Sequence, residues 1–359
     1  RGTMGLDTMR ERETCVGASP MKAVVVQEWT KPSDLSVSQI DPPTVQAGRI
    51  LIDVKAVACN FSDTLIVQGK YQVKPAFPFS PGGEVAGVVK ELGEGVTKFA
   101  VGDRVMAYVE YGGYAERVNA RPEATFPIPG NMSFSHAASI PIVYGTSYVS
   151  LVPRGMLAKG ETVLVTAAAG GVGLATIQIA KALGARVIAL AGGSEKLKIT
   201  LDAGADIAID YRAVRAERPD DADPGREPLW VEEVRNATDG RGADVVIENV
   251  GGDIFDGCTR CVAWGGRIVV VGFSSGDIPF VKANRIMLKH ISLVGVHFGP
   301  MAQNAPEELA ASFRALMQLY EEGRIRPSIW KELPLEKASE ALQALGGRKS
   351  WGKIVLTIG

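Results

Sequence analysis

Three small residues, Ala168, Gly170 and Gly173, keep the spacing of a G-x-G-x-x-G turn in the stretch ETVLVTAAAGGVGLATIQIAKALGA (residues 161–185), with Gly171 added. Ahead of them, residues 162–166 are a short branched and apolar run of the kind a fully buried parallel strand uses. Behind them, Val172, Ala175, Ile179, Ala182 and Leu183 recur on one helical face, and Gly184 supplies a left-handed stop. Strand, glycines and helix in that order leave backbone N–H groups unpaired at the helix start and aimed at one spot. The helix dipole adds positive potential there, so the turn suits a pyrophosphate. Alanine at the first position of the pattern is tolerated if its φ stays negative.

A carboxylate about twenty residues past the glycines, at the end of the second strand, would hold the ribose diol of NAD. That stretch reads Leu190-Ala191-Gly192-Gly193, and no acid occurs until Glu195. Ser194, Lys196 and Lys198 instead offer a hydroxyl and two ammonium groups, which suit a 2′-phosphate and so point to NADPH. The competing explanation is that both lysines belong to the solvated face of a helix. Cys258-x-x-Cys261 is a lone CxxC on a predicted helix with no second pair, so packing is the role expected of it.

These residues need a scaffold, and the rest of the chain supplies its pattern. A length of 359 residues with 46% apolar and 22% charged side chains is enough for two globular domains. A formal charge of -1 gives no electrostatic footprint for nucleic acid or anionic lipid. Residues 162–180 carry no charge and approach membrane-spanning length, but their Ala-Gly-rich centre fits strand, turn and helix better than a lipid-facing helix. Residues 1–20 lack an apolar signal core and precede a second plausible start at Met21, so they are expected to be a disordered tail. Setting Cys15 aside, three cysteines remain, too few for a disulfide framework; a reducing, cytoplasmic location is expected.

From 21 to about 151 short Val- and Ile-rich runs are punctuated by Gly and Pro, which predicts a compact barrel-like β domain. Residues 135–153 shift toward helical period. Strand-like runs then recur at 187–190, 207–210, 243–248, 267–271 and 291–296, with helical segments such as 195–203 and 254–262 between them. That alternation predicts a parallel, doubly wound sheet with ligands at the carboxyl ends of its strands. Residues 212–229 are dense in charge and proline and are expected to be a mobile surface insertion. A helix over 307–322, another over 335–345 and a strand over 353–358 are expected to return to the first domain. The division expected is therefore 1–20, 21–150, 151–298 and 299–359.

With the loop Ala167 to Gly173, the run Asn60-Phe61-Ser62-Asp63 and the ending Gly352-Lys353-Ile354-Val355-Leu356 all present, the sequence resembles the medium-chain dehydrogenase/reductase superfamily. Within it the chain is similar to the zinc-free quinone oxidoreductase branch that includes zeta-crystallin, from Met21 to Gly359 apart from the charged insertion. The resemblance implies an α/β fold, a Rossmann doubly wound parallel sheet with a GroES-like, mostly β catalytic domain. Zinc members place a Cys two residues before a Ser/Thr-Asp pair and a His inside Gly-His-Glu; here those places hold Asn60 and Gly83, neither a competent ligand. Cys59 is one residue off, only His136, His290 and His297 are available, and the four-cysteine structural lobe is absent, so no metal is expected.

The same resemblance implies cofactor contacts. Asn60 and Thr146 would meet the cofactor from the first part of the chain, and Ala169, Gly170, Gly171 and Val172 would meet the pyrophosphate. Gly192, Gly193, Ser194, Lys196 and Tyr211 would surround the adenosine phosphate. Val250 follows the fourth strand, Phe273 and Ser274 the fifth, His297 and Phe298 the sixth, and Arg348 lies near the carboxyl terminus. The family commonly pairs through the edge strand of the nucleotide sheet, so a homodimer built on residues 291–296 is expected.

Hydride transfer without a Lewis-acid metal favours an acceptor that delocalises its own developing charge, as a hydroquinone or an enolate. Quinone reduction is the leading expectation. Alternatives are reduction of an enone, 2-alkenal or acryloyl thioester, or an NADPH-binding protein of the same fold without turnover. Hydrogen-bond donors would be enough for a conjugated acceptor, and the candidates are Asn60, Tyr71 and Tyr144, each with a purely structural role as the competing explanation.

Overall fold

The computed structural model describes residues 19–212 and 228–359. The expectations of a disordered tail and of a mobile insertion fall almost wholly on residues outside that set. Among the described residues two large sheets carry the fold.

The first sheet has seven strands. Ile329–Pro334, Lys353–Thr357, Ile50–Cys59, Glu84–Leu92, Arg104–Tyr108 and Thr125–Pro127 follow one another across it, and Arg117–Ala120 pairs separately with Ile50–Cys59. Its central strands Ile50–Cys59 and Glu84–Leu92 are buried along most of their length, and its strands pair antiparallel except Ile329–Pro334, which lies parallel to Lys353–Thr357. The last strand lies antiparallel on Ile50–Cys59, with Ile354 opposite Cys59, so the end of the chain completes the sheet begun near its start.

The second sheet is wholly parallel. Across it run Ile207–Asp210, Arg186–Ala191, Thr162–Val165, Ala243–Glu248, Val262–Val270 and Ser292–Gly295. Numbered along the chain, the spatial order is 3-2-1-4-5-6, the Rossmann order, with its switch point between Thr162–Val165 and Ala243–Glu248. Both strands are buried along their full length, as expected for a sheet covered on both faces.

The helix after the glycine turn, Gly171–Ala182, is buried on more than the single face its spacing predicts; Leu174, Thr176, Ile177 and Ala180 are covered as well. It is clamped between the parallel sheet and the helix Val143–Val149. Ser147 Oγ donates to the Val172 carbonyl at 3.0 Å, and Thr176 Oγ1 donates to Ser147 Oγ at 3.0 Å. The main hydrophobic core runs through this contact and joins the two sheets. At its centre Phe126 from the first sheet stacks on Phe313 of the helix Pro306–Glu321 with ring centroids 3.8 Å apart. One continuous core fixes the two sheets relative to each other, and the cleft between them takes its shape from that.

Candidate active site

The phosphate-loop candidate is built as its sequence implies, with one shift. Backbone strain falls on Ala167, at φ 47°, and Ala168 keeps a negative φ, so the missing glycine costs nothing at its own position. A left-handed alanine costs about 1 kcal/mol, and this one is held by the strand before and the helix after. Gly173 is irreplaceable on steric grounds: a Cβ there would lie 2.5 Å from the Ala168 carbonyl oxygen. Gly352 N–H donates to the Ala169 carbonyl at 2.9 Å, tying the loop to the last strand.

A cleft of about 1490 Å³ opens between the sheets. From the nucleotide side Gly170, Gly171, Val172, Phe273, Ser274 and His297 line it, with Thr146 and Phe298 at the junction. Asn60 and Tyr71 line it from the other side. Ala169 and Val250 are not among the residues that line it. Gly192, Gly193, Ser194, Lys196 and Arg348 do not line the cleft; Lys196 at the start of the helix Ser194–Asp202 reaches Arg348, while Tyr211 packs against the core of the parallel sheet.

The surroundings of Lys196 are cationic. Lys196 Nζ donates to the Arg348 carbonyl at 3.0 Å, and the Arg348 guanidinium donates to the Ser274 carbonyl at 2.9 Å. Burial lowers the Lys196 pKa, and the charges of Arg212 and Arg348 lower it further. Arg212 lays its guanidinium over Gly192 and Gly193, where any side chain would collide with it. Lys198, by contrast, pairs with Asp202 on the exposed face of its own helix. The two lysines paired in the sequence thus divide, one toward the cluster and one toward solvent. Asp210 Oδ2 accepts from Gly193 N–H at 2.8 Å and pins the turn, whose φ is 92°.

Asn60 sits at the floor of the cleft in a closed network. Its Oδ1 accepts from Lys353 Nζ at 2.8 Å; its Nδ2 donates to Glu84 Oε1 at 2.9 Å and to the Ala58 carbonyl at 3.2 Å. Lys353 Nζ also donates to Glu84 Oε1 at 2.7 Å and to the Cys59 carbonyl at 2.8 Å. Glu84 Oε2 accepts from Ile142 N–H at 2.6 Å. Lys353 and Glu84 are 3% and 0% exposed. Beside them, Asp63 Oδ2 accepts from Asn60 N–H at 2.8 Å and from the Tyr114 hydroxyl at 2.9 Å, while Asp63 Oδ1 has no partner. Burial pushes the Asp63 carboxyl up to about 6 against the pull of those two bonds, and it pushes the Cys59 thiol up to about 12.

The three donor candidates from the sequence separate here. Both amide hydrogens of Asn60 are spent inside the network. Tyr144 is buried away from the cleft, its hydroxyl within bonding distance of Gln178 Oε1 (2.7 Å) and the Arg326 carbonyl (3.0 Å). It holds the helix Val143–Val149 to the segment after Pro306–Glu321 and is not among the residues that line the cleft. Tyr71 is half-buried in the cleft wall, and burial raises its pKa. Sequence reasoning missed Tyr108, the last residue of Arg104–Tyr108, which lines the same wall with its ring edge-on to Phe298 at 5.9 Å. Burial raises the Tyr108 pKa too, and the Glu110 carboxylate and the neighbouring Tyr71 raise it further. Neither hydroxyl has a hydrogen-bond partner among the described residues.

Two family models match the chain: an alcohol dehydrogenase GroES-like domain over residues 46–130 and a zinc-binding dehydrogenase over residues 171–319. A quinone oxidoreductase-like protein 2 homolog from Nematostella vectensis is 37% identical over 97% of this chain and 93% of its own length. The structure of mycobacterial Rv1454c complexed with NADPH superposes with a TM-score of 0.84 at 32% identity, covering 94% of this chain and all of the other. Escherichia coli quinone oxidoreductase complexed with NADPH gives 0.81 at 28% identity over 95% of this chain and all of the other. This chain belongs to the quinone oxidoreductase branch of the medium-chain dehydrogenase/reductase superfamily.

As a member of that oxidoreductase branch, the chain departs from the zinc named in one family description. At the two positions where zinc members carry Cys and His stand Asn60, bonded to an ammonium, and Gly83, which has no side chain. Cys59 is held as a buried thiol, and among the described residues no group of three His, Cys, Asp or Glu could hold a metal ion. The donor set does not fit zinc, because Asn60 and Gly83 supply neither a thiolate nor an imidazole.

Proposed function

We propose that this chain is an NADPH-dependent reductase that delivers hydride to a quinone. The residues present fit the cofactor. The helix Gly171–Ala182 presents its unpaired N–H groups behind Gly170, and Lys196, Arg212 and Arg348 converge where a 2′-phosphate would add its charge. Bound NADPH supplies the hydride from its nicotinamide ring.

The observation that carries the acceptor class is the pair of unpartnered hydroxyls, Tyr71 and Tyr108, on a wall that offers no metal donor set. Their raised pKa values keep them protonated and able to donate. Two neutral donors suffice for a carbonyl whose developing charge spreads over a conjugated ring, and are weak support for an isolated alkoxide. Phe298 and Tyr108 close the wall with apolar surface that limits water. Side-by-side NADPH oxidation with a naphthoquinone, a 2-alkenal and an acryloyl thioester tests the assignment. The quinone is expected to react fastest; a faster alkenal or thioester moves the activity to those acceptors, and tight NADPH binding without turnover makes the chain a binding protein.

The assembly proposed is a homodimer formed across the edge strand Ser292–Gly295. The segments leading to it expose Ile278, Phe280, Met287 and Leu288, with Phe280 98% exposed, and Trp264 in the neighbouring strand is 73% exposed. An apolar strip beside an open strand edge fits a second copy of itself.

A further inference from the structure

We infer that Lys353 is a positioning residue for hydride transfer: paired with Glu84, it locks the acceptor side of the cleft to the phosphate loop. The inference rests on the reductase reading above and concerns residues that reading does not use.

Three segments remote in sequence meet at this one ammonium: Cys59 with Asn60, Glu84, and the strand Lys353–Thr357 itself. Its three hydrogens go to the Cys59 carbonyl, Asn60 Oδ1 and Glu84 Oε1 at 2.7–2.8 Å, so none is left for a ligand. Glu84 carries the connection on to Ile142 N–H, and Ile142 and Asn60 both line the cleft. On the other side, the lysine stem passes Gly171 so closely that a Cβ there would lie 3.2 Å from Lys353 Cδ. The preceding residue, Gly352, holds φ 52° and donates its N–H to Ala169, and Gly170 and Gly352 form a parallel bridge. The backbone of this short segment is fastened to the phosphate loop, and its side chain to the acceptor floor.

Stability is a poor explanation for such a pair. Removing two charges from water offsets most of their attraction, and buried ion pairs are often replaceable by apolar side chains without loss of stability. The pair is also neutral as a unit, so it does not act as a cation on the substrate. What it provides uniquely is direction. Three bonds on a tetrahedral ammonium fix the Asn60 amide and the start of the helix Val143–Val149 relative to the loop, and hydride transfer falls steeply with sub-ångström misplacement.

The test compares Lys353→Met/Glu84→Gln, which removes both charges together, with Lys353→Arg, which keeps the charge but cannot reproduce three tetrahedral bonds. NADPH affinity is read by fluorescence titration, folding by circular dichroism and thermal melting, and the transfer step by single-turnover stopped flow with a naphthoquinone and 4-deuterated NADPH. Both variants are expected to bind NADPH within about threefold of wild type while hydride transfer slows at least tenfold and shows a larger deuterium isotope effect. A folded variant of either kind that transfers hydride within threefold of wild type overturns the inference. So does a loss of NADPH affinity that matches the loss of rate, since a merely structural role would weaken both. If the double variant does not fold, Lys353→Arg decides alone, and its failure to fold as well would assign the lysine to stability and overturn the inference. A wild-type protein that reduces no acceptor defeats the reductase reading instead, which keeps the two failures distinguishable.

Discussion

At the scale of single residues, the site depends on which polar groups are already spent. Tyr71 and Tyr108 keep free hydroxyls in the cleft wall, whereas Tyr144 and Asn60 do not. Tyr71→Phe and Tyr108→Phe are each expected to lower kcat/KM for a quinone by about 100-fold with NADPH affinity unchanged, the low end of the range for loss of one donor at a developing oxyanion. Tyr144→Phe should leave turnover within twofold and cost about 1 kcal/mol of stability, the worth of one buried hydrogen bond, as read by urea unfolding. At the other end of the site, Lys196→Ala and Arg212→Ala should each weaken NADPH at least tenfold in a titration and NADH by less than threefold, because only the phosphate meets those charges. Equal losses for both cofactors would remove the phosphate assignment. The glycine turn and the absence of an acid at the end of the second strand are local patterns and were legible in the sequence. Arg212 was hidden because it opens a charge-rich run that reads as surface. Tyr108 and the union of Lys353 with Glu84 were hidden because pairing across two sheets leaves no trace in spacing.

At the scale of elements, the helix Phe61–Ile66 is tied to the floor of the cleft by its first turn. Asp63 holds Asn60 N–H and the Tyr114 hydroxyl through Oδ2 and leaves Oδ1 unpaired in a buried site, with Lys353 and Glu84 the nearest charges. Its pKa rises from 3.8 in the unfolded chain to about 6, so the folded state binds the proton more tightly. The stability this proton confers is therefore complete below pH 3.8 and is lost as pH rises through about 6. Between pH 4.5 and 7.5 the stability of wild type relative to Asp63→Asn should fall by on the order of 2 kcal/mol in denaturant titrations. A difference that stays flat or grows with pH would show that Asp63 ionises normally. The strands of the parallel sheet were readable as elements because each is a buried apolar run between breakers. The burial of Gly171–Ala182 nearly all round was not, since its second covered face comes from Val143–Val149, and small residues such as Thr176 and Ala180 give no amphipathic signal of being clamped.

At the scale of the whole molecule, one core joins the two sheets, so the cleft is set by packing between domains. Ile278, Phe280, Met287 and Leu288 are 67%, 98%, 72% and 69% exposed, and they fall in the segment that leads to Ser292–Gly295, whose outer edge pairs with no other strand among the described residues. Four large apolar side chains held in water are costly, at about 25 cal/mol for each Å² of apolar surface. A two-fold contact along an open edge would cover the strip on both copies and satisfy the edge N–H and C=O groups together. A stable dimer needs roughly 800 Å² covered on each copy, which the strip reaches only if the strand edge joins it. Light scattering at micromolar concentration should therefore give twice the monomer mass for wild type. Phe280→Asp combined with Met287→Asp should give the monomer mass with NADPH affinity retained, because neither residue lines the cleft. A monomeric wild type at that concentration, or a doubly substituted protein that stays dimeric, would place the contact away from this edge.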